Sequence, residues 1–253
     1  LLLDCGLDRC TAPAISPDAM RVAYTREAAG PGPDLPFGSP RTWVLDLLNG
    51  QDRPVYEDQQ LIGYGSSWSP NGAYLASFDG LADQLRILDL ASGRQFIFSS
   101  ETGDAIAWSP DGMFFLYTDV QVDENGLRTQ VRKADLGINK SDVLIGLNDQ
   151  RDYSYSSLAW SPLGNRAVLS LRVQDDQPGE SLWLFDPVAL EGPLIASAEG
   201  VTYNAPAWDP WGTALVFQQF TLGGEYKPGI GLWKTGDTEP RLLADGLMPH
   251  WLP

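Results

Sequence analysis

Histidine is almost missing from this sequence, since His250 is the only one among 253 residues. Histidine is the commonest general base and a frequent metal ligand, so one copy makes multi-histidine metal sites and most histidine-based catalysis impossible. The sequence also lacks a Gly-x-Ser-x-Gly nucleophile elbow and a phosphate loop ending in Gly-Lys-Ser/Thr. A pair of carboxylates for glycoside cleavage stays open, because acidic residues are plentiful.

Basic residues are scarce as well. There are 17 Lys and Arg, of which four are Lys, against 33 Asp and Glu, so the formal net charge is −16. A surface this acidic repels phosphate backbones, which excludes general nucleic-acid binding. The hydrophobic share of 43% is enough for a core and argues against extensive disorder.

Cysteines are few and long apolar runs are absent. Cys5 and Cys10 are close enough in sequence to close a small disulfide loop if the backbone turns, which would suit an extracytoplasmic protein; the alternative is two reduced thiols. Two ligands alone make a weak case for zinc. No stretch approaches the roughly 20 apolar residues of a membrane span. The chain begins at Leu1 rather than Met, so we expect that a leader was removed or left out.

Glycine, proline and tryptophan are abundant, with 26, 19 and 9 copies, and many of them belong to one repeat. A large apolar residue is followed by a Ser-Pro-Asp-Gly turn or a variant of it. The five complete copies are Ile15–Ala19, Trp68–Gly72, Trp108–Gly112, Trp160–Gly164 and Trp208–Gly212, and a sixth begins at His250. The prolines are 40 to 53 residues apart, which is the length of one four-stranded sheet with its turns.

Each repeat predicts β-structure throughout. A short apolar strand follows the turn, as in Tyr74–Phe78, and a third strand ends at an acidic turn, as in Arg86–Asp89. In the turn, Pro presets φ, Asp or Asn hydrogen-bonds locally, and Gly accepts a positive φ. The tryptophan before the turn is predicted to lie on an inner strand and pack between neighbouring sheets. An aromatic ligand cage, which is the alternative, would need these rings exposed.

The repeat resembles the TolB-like, WD-repeat-like β-propeller family, and the resemblance covers nearly the whole chain. It implies an all-β fold of four-stranded blades in one domain, residues 1–253. The predicted repeats are approximately 11–60, 61–100, 101–150, 151–200 and 201–246, with a partial closing blade from 1–10 and 247–253. We expect a six-bladed propeller with an incomplete last blade; a five-bladed ring is the alternative.

The resemblance also implies where ligands bind. In such propellers the loops that join the fourth strand to the next first strand share a face with those joining second and third strands. The first set offers the candidate binding residues Tyr64, Asp104, Tyr153, Tyr155, Tyr203 and Asn204. The second set contains acidic insertions with the candidates Asp123, Glu124, Asp175 and Asp176, and His250 lies in the last inner strand. The tyrosines could form an aromatic rim for a peptide or glycan, or they could pack between blades.

The acidic insertions suggest a cation site, a face for a basic partner, or merely solvated charge. No cofactor is predicted, since the EF-hand ligand spacing for calcium is absent. We therefore expect a non-catalytic, extracytoplasmic scaffold propeller that binds a protein or cell-surface partner, not nucleic acid. The alternatives are a glycan-active enzyme at the propeller mouth and the accessory propeller of a larger hydrolase. The oligomeric state is not predicted.

Overall fold

The computed structural model describes residues 3–32, 35–123, 126–146, 153–173, 179–223 and 227–251. All regular elements in these ranges are strands, arranged as five four-stranded sheets that we call blades 1 to 5. The all-β propeller of four-stranded blades is therefore confirmed, and the described blades number five, as in the five-bladed alternative. No helix in the described ranges is long and apolar enough to cross a membrane.

The strands follow each other in chain order within every blade. Blade 1 contains β1 (Arg9–Ile15), β2 (Arg21–Glu27), β3 (Arg41–Asp46) and β4 (Asp52–Pro54). Blade 2 contains β5 (Gly63–Trp68), β6 (Tyr74–Asp79), β7 (Gln84–Asp89) and β8 (Gln95–Ser99). Blade 3 contains β9 (Ala107–Trp108), β10 (Phe114–Asp123), β11 (Gly126–Asp135) and β12 (Lys140–Ile145). Blade 4 contains β13 (Tyr153–Trp160), β14 (Ala167–Val173), β15 (Ser181–Phe185) and β16 (Leu194–Ala196). Blade 5 contains β17 (Val201–Trp208), β18 (Ala214–Thr221), β19 (Gly229–Lys234) and β20 (Arg241–Asp245).

Two compact units divide the chain. The first unit is residues 1–103 with Leu136–Lys140, and the second is residues 104–135 with 141–253. Blades 1 and 2 lie in the first unit, and blades 4 and 5 lie in the second. The expectation of one domain over 1–253 stays a prediction.

The repeated turn owes its shape to one serine hydroxyl and one carboxylate or amide. In blade 3 the hydroxyl of Ser109 donates to Asp111 at 2.6 Å and accepts the amide of Phe114 at 2.9 Å. The Asp111 carboxylate also accepts the amide of Met113 at 3.0 Å, and Gly112 has a φ of 70°. Blade 2 repeats this pattern with Asn71 in place of aspartate. These local bonds satisfy the main-chain donors of the turn, which explains why Ser-Pro-Asp-Gly recurs.

The fifth turn replaces serine with Asp209. Its carboxylate accepts the amides of Thr213 at 2.7 Å and Ala214 at 3.0 Å, and the Thr213 hydroxyl donates to it at 2.7 Å. Burial raises the pKa of Asp209, but these hydrogen bonds outweigh burial and hold the pKa below its usual value. One carboxylate thus replaces the serine–aspartate pair of the turns in blades 1 and 3.

Tryptophans of the inner strands pack between blades within each unit. Trp68 packs against Ala23 and Leu75, and its indole N–H donates to the carbonyl oxygen of Ala14 at 2.9 Å. Trp68 and Trp108 are buried, whereas Trp160 and Trp208 are half-buried. The four rings therefore fit the predicted role of packing between blades, but only Trp68 and Trp108 are buried.

Trp251, in the C-terminal segment, is 36% exposed, yet it makes the same bond as Trp68. Its indole donates to the carbonyl oxygen of Ala207 at 2.9 Å. Ala207 lies two residues before Asp209 of its turn, as Ala14 lies two residues before Ser16. The start of the sixth repeat therefore contacts blade 5 through its tryptophan, although it is not a strand in the described structure.

Cys5 and Cys10 are joined by a disulfide bond, with Cα atoms 6.3 Å apart. The bond closes a loop whose Asp8 accepts a hydrogen bond from Arg26 at 2.7 Å and another from the amide of Ala29 at 2.9 Å. The N-terminal segment is thereby tied to blade 1 by one covalent and two polar links.

Candidate functional site

A β-bulge recurs in the inner, first strand of four blades and changes the direction of the side chains beside it. The residue three positions before the inner-strand aromatic, or before Ile15 in blade 1, has a positive φ in four blades, at Ala12, Gly65, Ser157 and Ala205. The strand register shifts at the same place in each. An extra residue in one strand bends it and re-aims its neighbours, so the bulge sets the direction of the residue before it.

We call the residue directly before this bulge, four positions before the aromatic or Ile15, the pre-bulge residue. The four of them are Thr11, Tyr64, Ser156 and Asn204. In blade 3, Asp104 lies at the same distance before Trp108, but it comes ahead of the two-residue strand Ala107–Trp108. Two predicted site residues, Tyr64 and Asn204, thus occupy one structural position, and Asp104 shares only their sequence spacing. Thr11 and Ser156 were not predicted. Counting four residues back from Ile15 and from each repeat tryptophan would have found both.

Two of the predicted tyrosines lie one residue earlier and point elsewhere. Tyr155 and Tyr203 are each 7% exposed, because successive residues of a strand face opposite sides. Tyr203 packs edge-on against Phe217 at 5.8 Å, and burial raises the pKa of Tyr155 to about 12. Both rings pack between blades instead of forming an exposed rim, and Tyr155 also lines the groove described below.

Tyr64 is the exposed aromatic residue of this position in the first unit. Its ring meets Phe78 edge-on at 5.3 Å and is 36% exposed. A side chain at Gly80 would come within 3.0 Å of the Tyr64 ring, and one at Gly103 within 2.6 Å of Phe78. Two glycines therefore leave the space in which this aromatic pair lies.

Asp104 is exposed and accepts a hydrogen bond from the Thr118 hydroxyl at 2.5 Å. Asn204 is half-buried and His250 is exposed. The side chain of Asp123 and the whole of Glu124, Asp175 and Asp176 lie outside the described residues. Within the described ranges no three His, Cys, Asp or Glu residues lie close enough to hold a metal ion.

Glu180 is a half-buried carboxyl next to a pre-bulge residue. The Ser156 hydroxyl donates to it at 3.3 Å, and its main-chain oxygen accepts the amide of Tyr203 at 3.0 Å. Burial raises the pKa of Glu180, while the hydrogen bond from Ser156 and the charge of Arg172 partly oppose that rise. A carboxyl with a raised pKa can carry a proton nearer to neutral pH than an exposed one.

An apolar groove lies in the second unit between blades 3 and 4. Tyr153 and Tyr155 stack at 6.3 Å along it, and its volume is about 620 Å³. Other lining residues include Leu144, Leu171, Trp183 and Leu194. The indole N–H of Trp183 donates to the carbonyl oxygen of Gly192 at 3.0 Å, which fixes the ring. We call this feature the Tyr153 groove.

Chemically, the Tyr153 groove can take an apolar or aromatic group. Pockets of roughly 300–1,000 Å³ with mostly apolar walls and a few polar groups are the usual form of ligand sites. The buried aspartates have structural partners instead. Asp79 pairs with Arg86 at 2.8 Å, Asp119 lies 4.0 Å from Arg132, and Asp209 holds its own turn.

The fold defines a class, the β-propeller of four-stranded blades. No family model matches the sequence, and no curated protein matches it. TolB from Acinetobacter baumannii is 18% identical, with a TM-score of 0.65 over 96% of this chain and 57% of that chain. A putative TolB from Agrobacterium tumefaciens is 17% identical, with a TM-score of 0.67 over 94% and 81%.

Enzymes share this fold too. Oligogalacturonate lyase from Vibrio parahaemolyticus is 12% identical, with a TM-score of 0.70 over 97% of this chain and 68% of that chain. The resemblance to TolB-like propellers is therefore confirmed as a fold. The chain spans little more than half the length of the Acinetobacter TolB, and identities this low carry no activity with them.

Proposed function

We propose that this chain is a non-catalytic binding module that works outside the cytoplasm and takes a protein partner. The Tyr153 groove carries the proposal. It offers stacked tyrosines and a fixed indole, and aromatic side chains are enriched where proteins bind proteins. An apolar side chain of the partner would fill it, as an anchor fills a pocket in other interfaces.

Charge and covalent structure support the same proposal. The net charge of −16 favours encounter with a basic partner over a nucleic acid. The disulfide between Cys5 and Cys10 is the kind of bond that persists in oxidising compartments. The buried aspartates are engaged in structural pairs, which leaves them unsuited to acid–base work.

The test has two steps: capture of partner proteins from an extract, and then measurement of their affinity for the unaltered chain and its variants. The whole protein, immobilised, is exposed to an extracytoplasmic extract, and each captured protein is purified and titrated by calorimetry. We expect Tyr153→Ala to weaken binding of a true partner by about tenfold or more, the effect of removing an aromatic anchor. Trp211→Ala is the matched control, because Trp211 is 70% exposed in a turn of the same unit and does not line the groove.

Two outcomes would overturn the proposal, one for the groove and one for the non-catalytic role. If no protein binds saturably, or if every captured protein binds the Tyr153→Ala variant as tightly as the unaltered chain, the groove is not a partner site. Turnover of a substrate by the unaltered chain would contradict the non-catalytic part.

A glycan-active enzyme is a second candidate because of Glu180. Its carboxyl lies beside Ser156 with a raised pKa, as a proton donor or acceptor requires. One structural neighbour is described as an oligogalacturonate lyase in complex with manganese. This candidate therefore predicts that the chain cleaves uronide oligosaccharides by elimination. The ultraviolet absorbance of the unsaturated product measures the reaction, with and without manganese. It requires Glu180→Gln to abolish that turnover while the fold is kept; no turnover by the unaltered chain would reject it.

A further inference from the structure

A cavity of about 730 Å³ in the first unit gathers arginines in a chain that has few of them. It lies between blades 1 and 2, and its lining includes Arg21, Arg53 and Arg86. The whole sequence has only 17 basic residues against 33 acidic ones. Apolar residues of both blades complete the walls, among them Val44 and Leu88. The cavity thus combines positive groups with an apolar surface.

Arg86 is already neutralised within the fold. Its Nε and Nη2 atoms contact Asp79 Oδ2 at 2.9 and 2.8 Å, and Nη1 donates to Gln95 at 3.3 Å. Asp79 is 3% exposed, so this pair is held inside blade 2. Arg86 therefore contributes structure to the cavity rather than a free charge.

Arg53 and Arg21 have guanidinium N–H groups that a ligand can use. Arg53, on β4, is exposed, and its guanidinium makes no hydrogen bond or ion pair with any described residue. The guanidinium of Arg21 lies 5.0 Å from the centre of the Trp68 ring, which orients it. Its ion-pair partner is the exposed Asp18, at 3.5 Å. Exposed pairs of this kind contribute little energy, so Arg21 can exchange Asp18 for a ligand.

The same two arginines also line a smaller adjoining cavity of about 290 Å³, together with Val44. Arg21 and Arg53 therefore lie at the junction of the two cavities, which is defined by the residues that line both. Guanidinium groups bind carboxylate and phosphate oxygens with paired hydrogen bonds, so two arginines that line the same cavities favour an anionic ligand.

Acidic residues near the junction are largely engaged. Asp89 accepts the Ser92 hydroxyl at 2.7 Å and the amide of Ala91 at 2.9 Å, and these bonds lower its pKa. Asp46 likewise accepts amides of its own turn, including Leu48 at 2.8 Å. Glu57 and Asp58 also line the larger cavity, but they are exposed and follow the end of β4. Asp52, which lines the smaller cavity, accepts hydrogen bonds from the Tyr24 hydroxyl at 2.5 Å and from Arg26 at 3.0 Å. Most of the carboxylates that line the two cavities are therefore already hydrogen-bonded.

We propose that this junction binds an organic anion, whose carboxylate or phosphate is held by Arg21 and Arg53 and whose apolar body lies against Val44 and Leu88. The site is independent of the Tyr153 groove, which belongs to the other unit. Nothing in the proposed protein-binding role depends on it.

Calorimetric titration of the whole protein tests the site with four probes. Phenylacetate and phenyl phosphate carry head group and body, whereas acetate and inorganic phosphate carry the head group alone. We expect the two phenyl compounds to bind more tightly than their head groups, and whichever of them binds better identifies the preferred anion. Raising the salt concentration should weaken binding, because it screens the arginines.

Variants decide whether the arginines are responsible. Arg53→Gln and Arg21→Gln should each weaken the phenyl probes by about tenfold, the usual effect of losing a hydrogen bond to a charged group. Arg241→Gln, an exposed position on β20, makes the same change of net charge and should leave binding unchanged. The thermal midpoint of each variant confirms folding. The proposal fails if no probe binds at about 10 mM, or if all three variants bind equally.

Discussion

At the scale of single residues, the repeated turn depends on backbone conformation as much as on side-chain bonds. Four of the five complete turns have glycine at the last position, with φ between 67° and 82°, and the first turn has Ala19 with φ of 55°. A residue with a Cβ atom pays about 1 kcal/mol or more in this left-handed region. The first turn is thus the strained copy of the repeat.

We expect Ala19→Gly to raise the free energy of unfolding by up to about 1 kcal/mol, because it removes that strain. Urea unfolding measures the change. Ala91→Gly is the control, since Ala91 is exposed and has no positive φ, and this change should be slightly destabilising. An equal loss of stability in both variants would show that Ala19 is not strained.

Sequence reasoning at this scale predicted the turn and most of its chemistry, and it named only some of the residues that share the position before the bulge. Tyr64, Asp104 and Asn204 were predicted from their loops, and the structure places Tyr64 and Asn204 at one recurring position before a bulge. Ser156 was missed because nothing marks it except its distance from Trp160. The bulge itself is hidden, since Ala12, Ser157 and Ala205 are not residues that usually signal a left-handed backbone.

At the scale of strands, packing within a blade is tight enough to require glycine at particular points. Gly231 lies opposite Phe217 in the ladder between β19 and β18, and a methyl group at Gly231 would overlap the phenyl ring. Phe217 itself is fully buried, so the ring has no room to move. The two positions are therefore expected to be energetically coupled.

Gly231→Ala should lower the free energy of unfolding by about 1–3 kcal/mol, as overpacking of a core does. Phe217→Leu added to that variant should recover part of the loss, because it frees the space of the ring. Urea unfolding of both single variants and the double variant gives the coupling energy. Gly38→Ala, where neighbouring atoms lie at least 3.6 Å away, should be almost neutral. Strictly additive effects would contradict a direct clash.

The N-terminal loop adds stability to blade 1 through its covalent and polar links. Leu3 and Cys10 pack against Val22, Tyr24 and Leu45, so the loop also covers apolar surface. The Cys5→Ser, Cys10→Ser double variant should lower the free energy of unfolding by about 2 kcal/mol, the entropy effect of opening so short a loop.

A reducing agent provides the matched control for the disulfide. It should destabilise the unaltered protein as much as the double substitution does, and leave the double variant unchanged. If reduction has no effect on the urea midpoint, the disulfide contributes nothing to the stability of the fold.

At the scale of the whole molecule, carboxylates with low pKa values are spread over both units. Hydrogen bonds within turns lower the pKa values of Asp89 in the first unit and of Asp111 and Asp186 in the second. A carboxyl whose pKa is lower in the folded chain stabilises it above the pKa of the unfolded state, near 3.8. That stability is lost as the pH falls through the folded value. The urea midpoint should therefore be level above about pH 5 and fall steeply below pH 4.

Asp111→Asn tests this dependence, since Asn71 fills the same place in blade 2 with the same hydrogen bonds. The variant should be less stable than the unaltered chain at pH 6 by less than about 1 kcal/mol, because the position is exposed. The difference should vanish near pH 2, where both are neutral. The converse change, Asn71→Asp, should make stability more dependent on pH; a gap that is constant with pH would contradict the assignment.

The sequence by itself determined the class of this protein and its repeating unit. Local hydrogen bonds and backbone preferences within a few residues form the Ser-Pro-Asp-Gly turns. The sequence therefore predicts these turns and the strands on either side of them. Their spacing, close to the length of a four-stranded blade, indicated the propeller. The tertiary structure alone decided which tyrosines are buried and that Arg21 and Arg53 line the same two cavities. It also decided the depth of the Tyr153 groove, because each of these depends on contacts between residues that are far apart in the chain.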